Sequence, residues 1–372
     1  MKGKNIMKSF ISSLLSFLAL MLFASTDNDS IDQHFNEKNK KTAWAQLKEV
    51  IAYVDAQPLV AEPEIQDIES LAVYIKTHEV AIEKLYAAAR MPCVDFSCYI
   101  NTTVPRIIDF TTKIRECIRL LMLNYQYGVR AEKTDVVYNS LLVALQIDSL
   151  LKGNPYIYYQ LLRVAYINII FQSIQDYSAE ASFNKLSVQE IDNLINLIQK
   201  KKVEIKTGWE HALLFESSIN DEILLKSLPF DKSSDKELAL RVANYKSFLK
   251  SVAKFITTKQ DKTCLYEFKK KEEKINKYFS RPLLSFEGWS QAYVRSESLL
   301  DAIEILLQAV QIYKKNGKYP TKRDVFLKKT LNAIEYIPHE KGFDLIIKDV
   351  GTLSYGYKSK NHHGKSLKNL FL

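Results

Sequence analysis

With 372 residues, 47% hydrophobic and 26% charged, the chain has room for one large domain or two, and its balance excludes wholesale disorder. Only 10 Gly and 9 Pro punctuate it, too few turn-formers for an all-β sandwich, so long helices are expected. Of the net charge of +9, three charges lie on Lys2, Lys4 and Lys8, the only charged side chains before Asp27, which leaves +6 for the rest; that excess suits an anionic partner or a solvated basic surface, and without aromatic-basic interleaving it excludes a nucleic-acid platform.

The chain begins with a leader. After the three lysines no charge occurs from Ser9 to Thr26, and Phe10, Ile11, Leu14, Leu15, Phe17, Leu18, Leu20, Met21, Leu22 and Phe23 are apolar. Small Ala24 and Ser25 and the polar run Asp27-Asn28-Asp29-Ser30 follow. A charged start, a short apolar core and a small-residue end are the layout of a secretory signal. The core is short against the roughly 20 residues of a membrane span, and with no polar face it makes a poor helix of the folded domain. Cleavage after Ala24 fits the small residues, but Leu22 is large for its place. Residues 1–24 are therefore read as a signal peptide or an N-terminal membrane anchor. The protein is expected to be exported: periplasmic, extracellular or anchored.

A first helix is predicted over Lys40–Ala56 and a longer one over Glu64–Arg90, behind Pro63. The longer one places Leu71, Ile75, His78, Ile82 and Leu85 on one face. His78 there reads as a satisfied interior or groove histidine. After the break at Met91-Pro92, Cys93 and Cys98 flank a short loop and are candidates to pair in an oxidising compartment, with no His at ligand spacing to make a metal site. Helices follow over Pro105–Tyr125, Glu132–Lys152 and Tyr156–Tyr177, the last two separated by Gly153 and Pro155. Cys117 shares a stripe with Ile107, Phe110, Ile114 and Leu121 and reads as a small buried hydrophobe, while Cys264 stands isolated.

Ser187 and Glu190 form a capping box ahead of Ile191, Leu194, Ile195 and Ile198. Further helices are predicted over Gly208–Leu228, Asp235–Thr258 and Trp289–Lys315. The last carries Trp289, Ala292, Ser296, Leu299, Ile303, Leu307, Val310 and Tyr313 in one stripe. Lys259–Lys277, rich in both charge signs, reads as a solvated helix or connector, with a boundary near Arg281-Pro282. Gly317 suits a left-handed cap, Tyr319-Pro320 an extended turn, and Thr321 with Asp324 a short helix start. Phe343, Leu345 and Ile347 alternate with polar or outward residues, and Gly351 turns the chain into Leu353–Tyr357, a hairpin.

The predicted fold is mainly α: antiparallel helical hairpins stacked as an irregular array or solenoid-like bundle, with a small C-terminal β-hairpin. Residues 27–281 form the array, 282–357 the long helix, turn and hairpin, and 358–372 a basic tail without acids that frays. Helix starts near 105, 132 and 156 are evenly spaced, but the spacing is not kept, so no true repeat is assigned.

In that order, several elements resemble a family of uncharacterised exported α-helical bacterial proteins. They are the helix end Ala87-Ala88-Ala89-Arg90-Met91-Pro92-Cys93-Val94-Asp95-Phe96, the Arg115, Arg119, Leu120 and Leu121 helix, Gly153-Asn154-Pro155, Glu210-His211-Ala212 and Gly317-Lys318-Tyr319-Pro320. The likeness spans most of residues 65–357. One extra residue precedes Phe96, and a lysine tail replaces the family's glycine-rich acidic close. The turn-and-hairpin ending is also similar to the C-terminal part of pseudopilins. The resemblance implies a helical architecture and export, and no activity.

Chemical motifs are sparse. Gly364-Lys365-Ser366 lacks the upstream glycine of a phosphate loop, Ser359 standing there, and His362-His363 reads as a polar pair in a basic tail. Glu210, His211 and Glu216 are the candidate catalytic cluster. Glu210 and His211 diverge by about 100° around a helix, and a buried Glu216 would have the raised pKa of a general acid. The bland reading is a carboxylate bonding to another helix. No Gly-x-Ser-x-Gly, His-Glu-x-x-His or Cys-x-x-Cys occurs, and no cofactor or metal is expected. The leading expectation is a non-enzymatic helical scaffold that binds another protein or an anionic envelope surface. A hydrolase-like enzyme using Glu210 or Glu216, and a secretion or fibre-assembly component, are the alternatives.

Overall fold

The computed structural model describes residues 49–53, 67–90, 104–151, 157–219, 221, 235–258, 272–273, 286–321, 334–347 and 350–356. The leader, Cys93, Cys98, Cys264, the boundary near Arg281-Pro282, the short helix after Thr321 and the basic tail with His362 and His363 lie outside the described residues.

The protein is mostly helical with a small antiparallel sheet at its C-terminal end, and its helices pack on one another. The helices are α1 (Ile68–Thr77), α2 (Glu79–Ala89), α3 (Val104–Arg130), α4 (Thr134–Ile147), α5 (Ile157–Tyr177), α6 (Val188–Ser218), α7 (Asp235–Thr258) and α8 (Phe286–Asn316). Consecutive pairs α3–α4 and α6–α7 pack closely, the first across a connection of only residues 131–133. The 31-residue α6 is the hub, touching α4, α5, α7 and α8. One continuous core runs from Val50 to Tyr355, so α8 shares its interior with the array. Among the described residues no helix is long and apolar enough to cross a membrane.

Two helices differ from the pattern-based expectation. The single helix predicted over Glu64–Arg90 is broken at His78, whose backbone (φ −104°, ψ 13°) leaves helical geometry and whose N–H caps α1. The stripe survives the break: Leu71, Ile75, His78, Ile82 and Leu85 are all buried. The helix predicted over Gly208–Leu228 does not start at Gly208: residues Gly208 to Ser218 are the last third of the 31-residue α6. Glycine inside a helix costs about 1 kcal/mol against alanine, and the compensation lies in what packs over it, described below.

The start of α6 follows its sequence signature. Ser187 Oγ accepts the Glu190 N–H at 3.2 Å, and the Glu190 carboxylate accepts the Ser187 N–H at 2.7 Å. Ser187→Ala is expected to lower stability by about 1 kcal/mol, read as a fall in the urea midpoint. On α8, Trp289, Ser296, Leu299, Ile303, Leu307 and Val310 of the predicted stripe are buried and Ala292 and Tyr313 half-buried, while Leu300, Ala302, Ile305, Leu306 and Ala309 are buried as well, so the helix is enclosed on more than the one stripe.

The C-terminal hairpin is joined by a third strand. β1 (Ile334–Pro338), β2 (Phe343–Ile347) and β3 (Gly351–Tyr355) run antiparallel in that order. Ile334, Tyr336, Phe343, Leu345, Ile347, Leu353 and Tyr355 fall on one buried face. Gly317 (φ 70°) ends α8, and its N–H returns to Tyr313 O at 2.7 Å. Tyr319 then stacks on Tyr313 with ring centroids 4.4 Å apart. Asn184 exchanges hydrogen bonds with the Tyr319 hydroxyl and accepts one from Tyr355, tying turn and sheet to the loop before α6.

Candidate functional site

The densest polar chemistry lies where α4, α5 and α6 meet. Asp148 opens a short 3-10 turn at the end of α4, Arg163 stands in the middle of α5, and Lys201 and Glu204 lie one turn apart on α6. Asp148 and Arg163 are each 1% exposed and Lys201 is fully buried. The Arg163 guanidinium donates to both Asp148 carboxylate oxygens at 3.3 Å, through Nε and Nη2. Lys201 Nζ donates to Asp148 Oδ2 at 2.8 Å from the other side. Glu204 completes the charge balance, 3.6 Å from Lys201 and 3.8 Å from Arg163, and accepts from Ser149 Oγ at 3.0 Å. Two cations thus face two carboxylates.

Burial alone would raise the Asp148 pKa, but Arg163 and Lys201 outweigh it and hold the carboxyl below its ordinary value. Lys201 also donates to Ser149 Oγ, and Arg163 Nη1 reaches Gln160 Oε1 at 3.2 Å and the Glu204 carbonyl at 3.3 Å. Gly208, one helical turn beyond Glu204, makes the room. A Cβ there would lie 2.5 Å from Gln160 Oε1 and 2.9 Å from Arg163 Nη1. Each charged atom has a counter-ion within the packing, so the arrangement holds three helices in register.

Glu210, His211 and Glu216 do not converge. His211 is exposed, Glu210 half-buried, and Glu216 only 5% exposed on the inward face beside Ala212. Glu216 Oε1 accepts the backbone N–H of Ile157, the first residue of α5, at 3.1 Å. Burial pushes its carboxyl up to about 8. The raised value matches the sequence reading of a buried acid, and the bond matches the reading of a carboxylate held by another helix. His78 is interior, packed against Tyr74 and Tyr53 with ring centroids 4.6 and 6.1 Å away. Its Nδ1 has no hydrogen-bond partner among the described residues, so that nitrogen departs from the satisfied histidine expected. Cys117 is buried, and burial pushes its thiol up to about 12, as suits an inert packing residue. Among the described residues no group of three or more His, Cys, Asp or Glu side chains is placed to hold a metal ion.

Sequence reasoning missed the ion cluster, although a signal was there. Lys201 falls on the apolar period Leu194, Ile198, Ile205, Ala212, and Arg163 on the period Tyr159, Tyr166, Ile170. A charged residue on a core period is buried and paired or the helix is misread.

Fold and cluster together define a helical-array protein closed by a small sheet and keyed by buried ion pairs. The chain matches no family model, no curated protein and no solved structure.

Proposed function

We propose that this is an exported, non-enzymatic helical scaffold of the cell envelope that binds another protein or an anionic surface. The observation that carries the scaffold reading is the disposition of the interior charges. Asp148, Arg163, Lys201 and Glu204 neutralise one another between three helices, and Glu216 is committed to the start of α5. Those side chains hold elements rather than present themselves to a substrate. The outward faces of α6, α7 and α8 carry Val203, Leu214, Leu240 and Val294, each at least 43% exposed, apolar area of the kind a partner covers. Export rests on the leader of Lys2, Lys4, Lys8 and the uncharged stretch from Ser9 to Thr26.

Two measurements test the reading. Mapping the N-terminus of the protein recovered from cell fractions should find it outside the cytosol; full-length chain free in the soluble cell interior would overturn export. Affinity capture from envelope extract, run beside flotation with anionic phospholipid vesicles, should recover a saturable partner or bind the vesicles. Neither outcome being seen would sink the scaffold.

A further inference from the structure

The positive charge of the chain is not spread evenly. Residues 235–281, which are α7 and the stretch that follows it, hold 13 Lys and Arg against 6 Asp and Glu. That excess of +7 is larger than the +6 the whole chain carries beyond its leader, so the remainder sums to just below zero.

Within α7 the cations stand on a side that the core does not use. Val242, Tyr245, Phe248, Leu249, Val252 and Ala253 form the buried side of the helix, which packs on α6. Leu240, Ala243, Ser247, Lys250 and Lys254 recur at steps of three and four residues on the opposite side. All five are exposed, Leu240 by 60%. The exposed acid Glu237 lies to one flank and pairs with Arg241 at 2.7 Å, while Lys246 on the other flank pairs with Asp221.

We propose that this outward face of α7 docks on an anionic phospholipid surface, with Lys250 and Lys254 over the headgroups and Leu240 entering the interface. This rests on the anionic-surface arm of the scaffold reading, and it places that arm on one helix. The chemistry favours a bilayer over a protein. Small Ala243 and Ser247 leave the row flat, so a planar surface can approach its cations together. A protein partner is held by aromatic or arginine anchors seated in pockets, and the exposed row has neither. An anionic membrane favours each basic residue near it by about fivefold in affinity. Because the apolar side of α7 is already committed to the core, the attraction is mainly electrostatic, reversible and screened by salt.

Flotation of the full chain with vesicles of phosphatidylglycerol and phosphatidylcholine tests the docking, with pure phosphatidylcholine vesicles as the reference. The wild type should float with the anionic vesicles, leave them at about 0.5 M salt, and ignore the neutral ones. Ser247→Glu combined with Lys250→Glu, both at exposed positions, should weaken binding by about tenfold or more. Lys315→Glu combined with Lys318→Glu, a larger charge change at exposed positions around the end of α8, should alter it by less than about twofold. Equal loss in the two variants, or no loss in the α7 variant, would overturn the assignment to α7. If the α7 variant does not fold, amine labelling of the wild type decides instead. Bound vesicles should shield Lys250 and leave Lys315 reactive; equal labelling of the two would end the docking. A wild type that floats with neither vesicle, or equally with both, sinks it too, while a saturable protein partner in the capture experiment would still uphold the scaffold.

Discussion

Asp148→Ala is expected to destabilise the protein by about 3–5 kcal/mol, the largest effect of any single polar substitution considered for this chain. The carboxylate is shared by Arg163 and Lys201, one on each side, and all three are cut off from water. Removing it leaves two cations buried with Glu204 as their remaining counter-ion, at 3.6 Å and 3.8 Å. Neither distance makes a hydrogen bond. The cost is that of uncompensated charge, and it does not equal what the intact cluster adds to folding. Desolvating four charges consumes most of their mutual attraction. The fourfold replacement Asp148→Leu, Arg163→Met, Lys201→Met, Glu204→Gln, which leaves no charge of the cluster unpaired, should therefore be much less damaging than Asp148→Ala alone. Urea unfolding of the single and fourfold variants separates the two ideas. A fourfold variant as unstable as the single one would show that the pairs stabilise outright.

The pH dependence of this site has the opposite sign to that of Glu216. Asp148 is held below its ordinary value, so its contribution is present above the unfolded value of 3.8 and is lost as pH falls. Acid should accordingly loosen the α4–α5–α6 contact, whereas Glu216, raised by burial from 4.5 to about 8, contributes stability that is full below about 4.5 and is lost as pH rises through about 8. Both ends of the pH scale then act on α5 through different partners on α6.

What could be seen in the residues alone was governed by range. The capping box at Ser187 and the stripe of α8 are local patterns, complete within a few turns, and both were legible. The break at His78 was not, because the stripe runs through it unchanged and only backbone geometry records the interruption. β1 went unread although Ile334 and Tyr336 alternate with Glu335, since Pro338 closes the run after five residues and its partner strand supplies the register. The ion cluster was the least accessible. Lys201 sits in a run of three lysines that looks solvated, and its partner Asp148 lies 53 residues earlier. Glu216 was singled out from sequence, but the N–H it accepts belongs to a helix start 59 residues away.

Gly208 shows how the same cluster rewrote a local rule. In an exposed helix interior, Gly→Ala gains about 1 kcal/mol from propensity alone. Gly208→Ala is expected to lose about 1–3 kcal/mol instead, measured as a lower thermal midpoint and a lower urea midpoint. The added methyl would press on Gln160 and on the Arg163 guanidinium, and those groups are fixed by Asp148 and the Glu204 carbonyl rather than free to swing aside. Coupling gives the decisive readout. If the penalty comes from displacing Arg163, it should shrink when Gly208→Ala is placed in the Asp148→Leu, Arg163→Met, Lys201→Met, Glu204→Gln background, where a shorter apolar side chain yields to the methyl. A penalty unchanged in that background would assign the clash to Gln160, and a gain in stability in the wild type would mean that the helix passes Arg163 with room to spare.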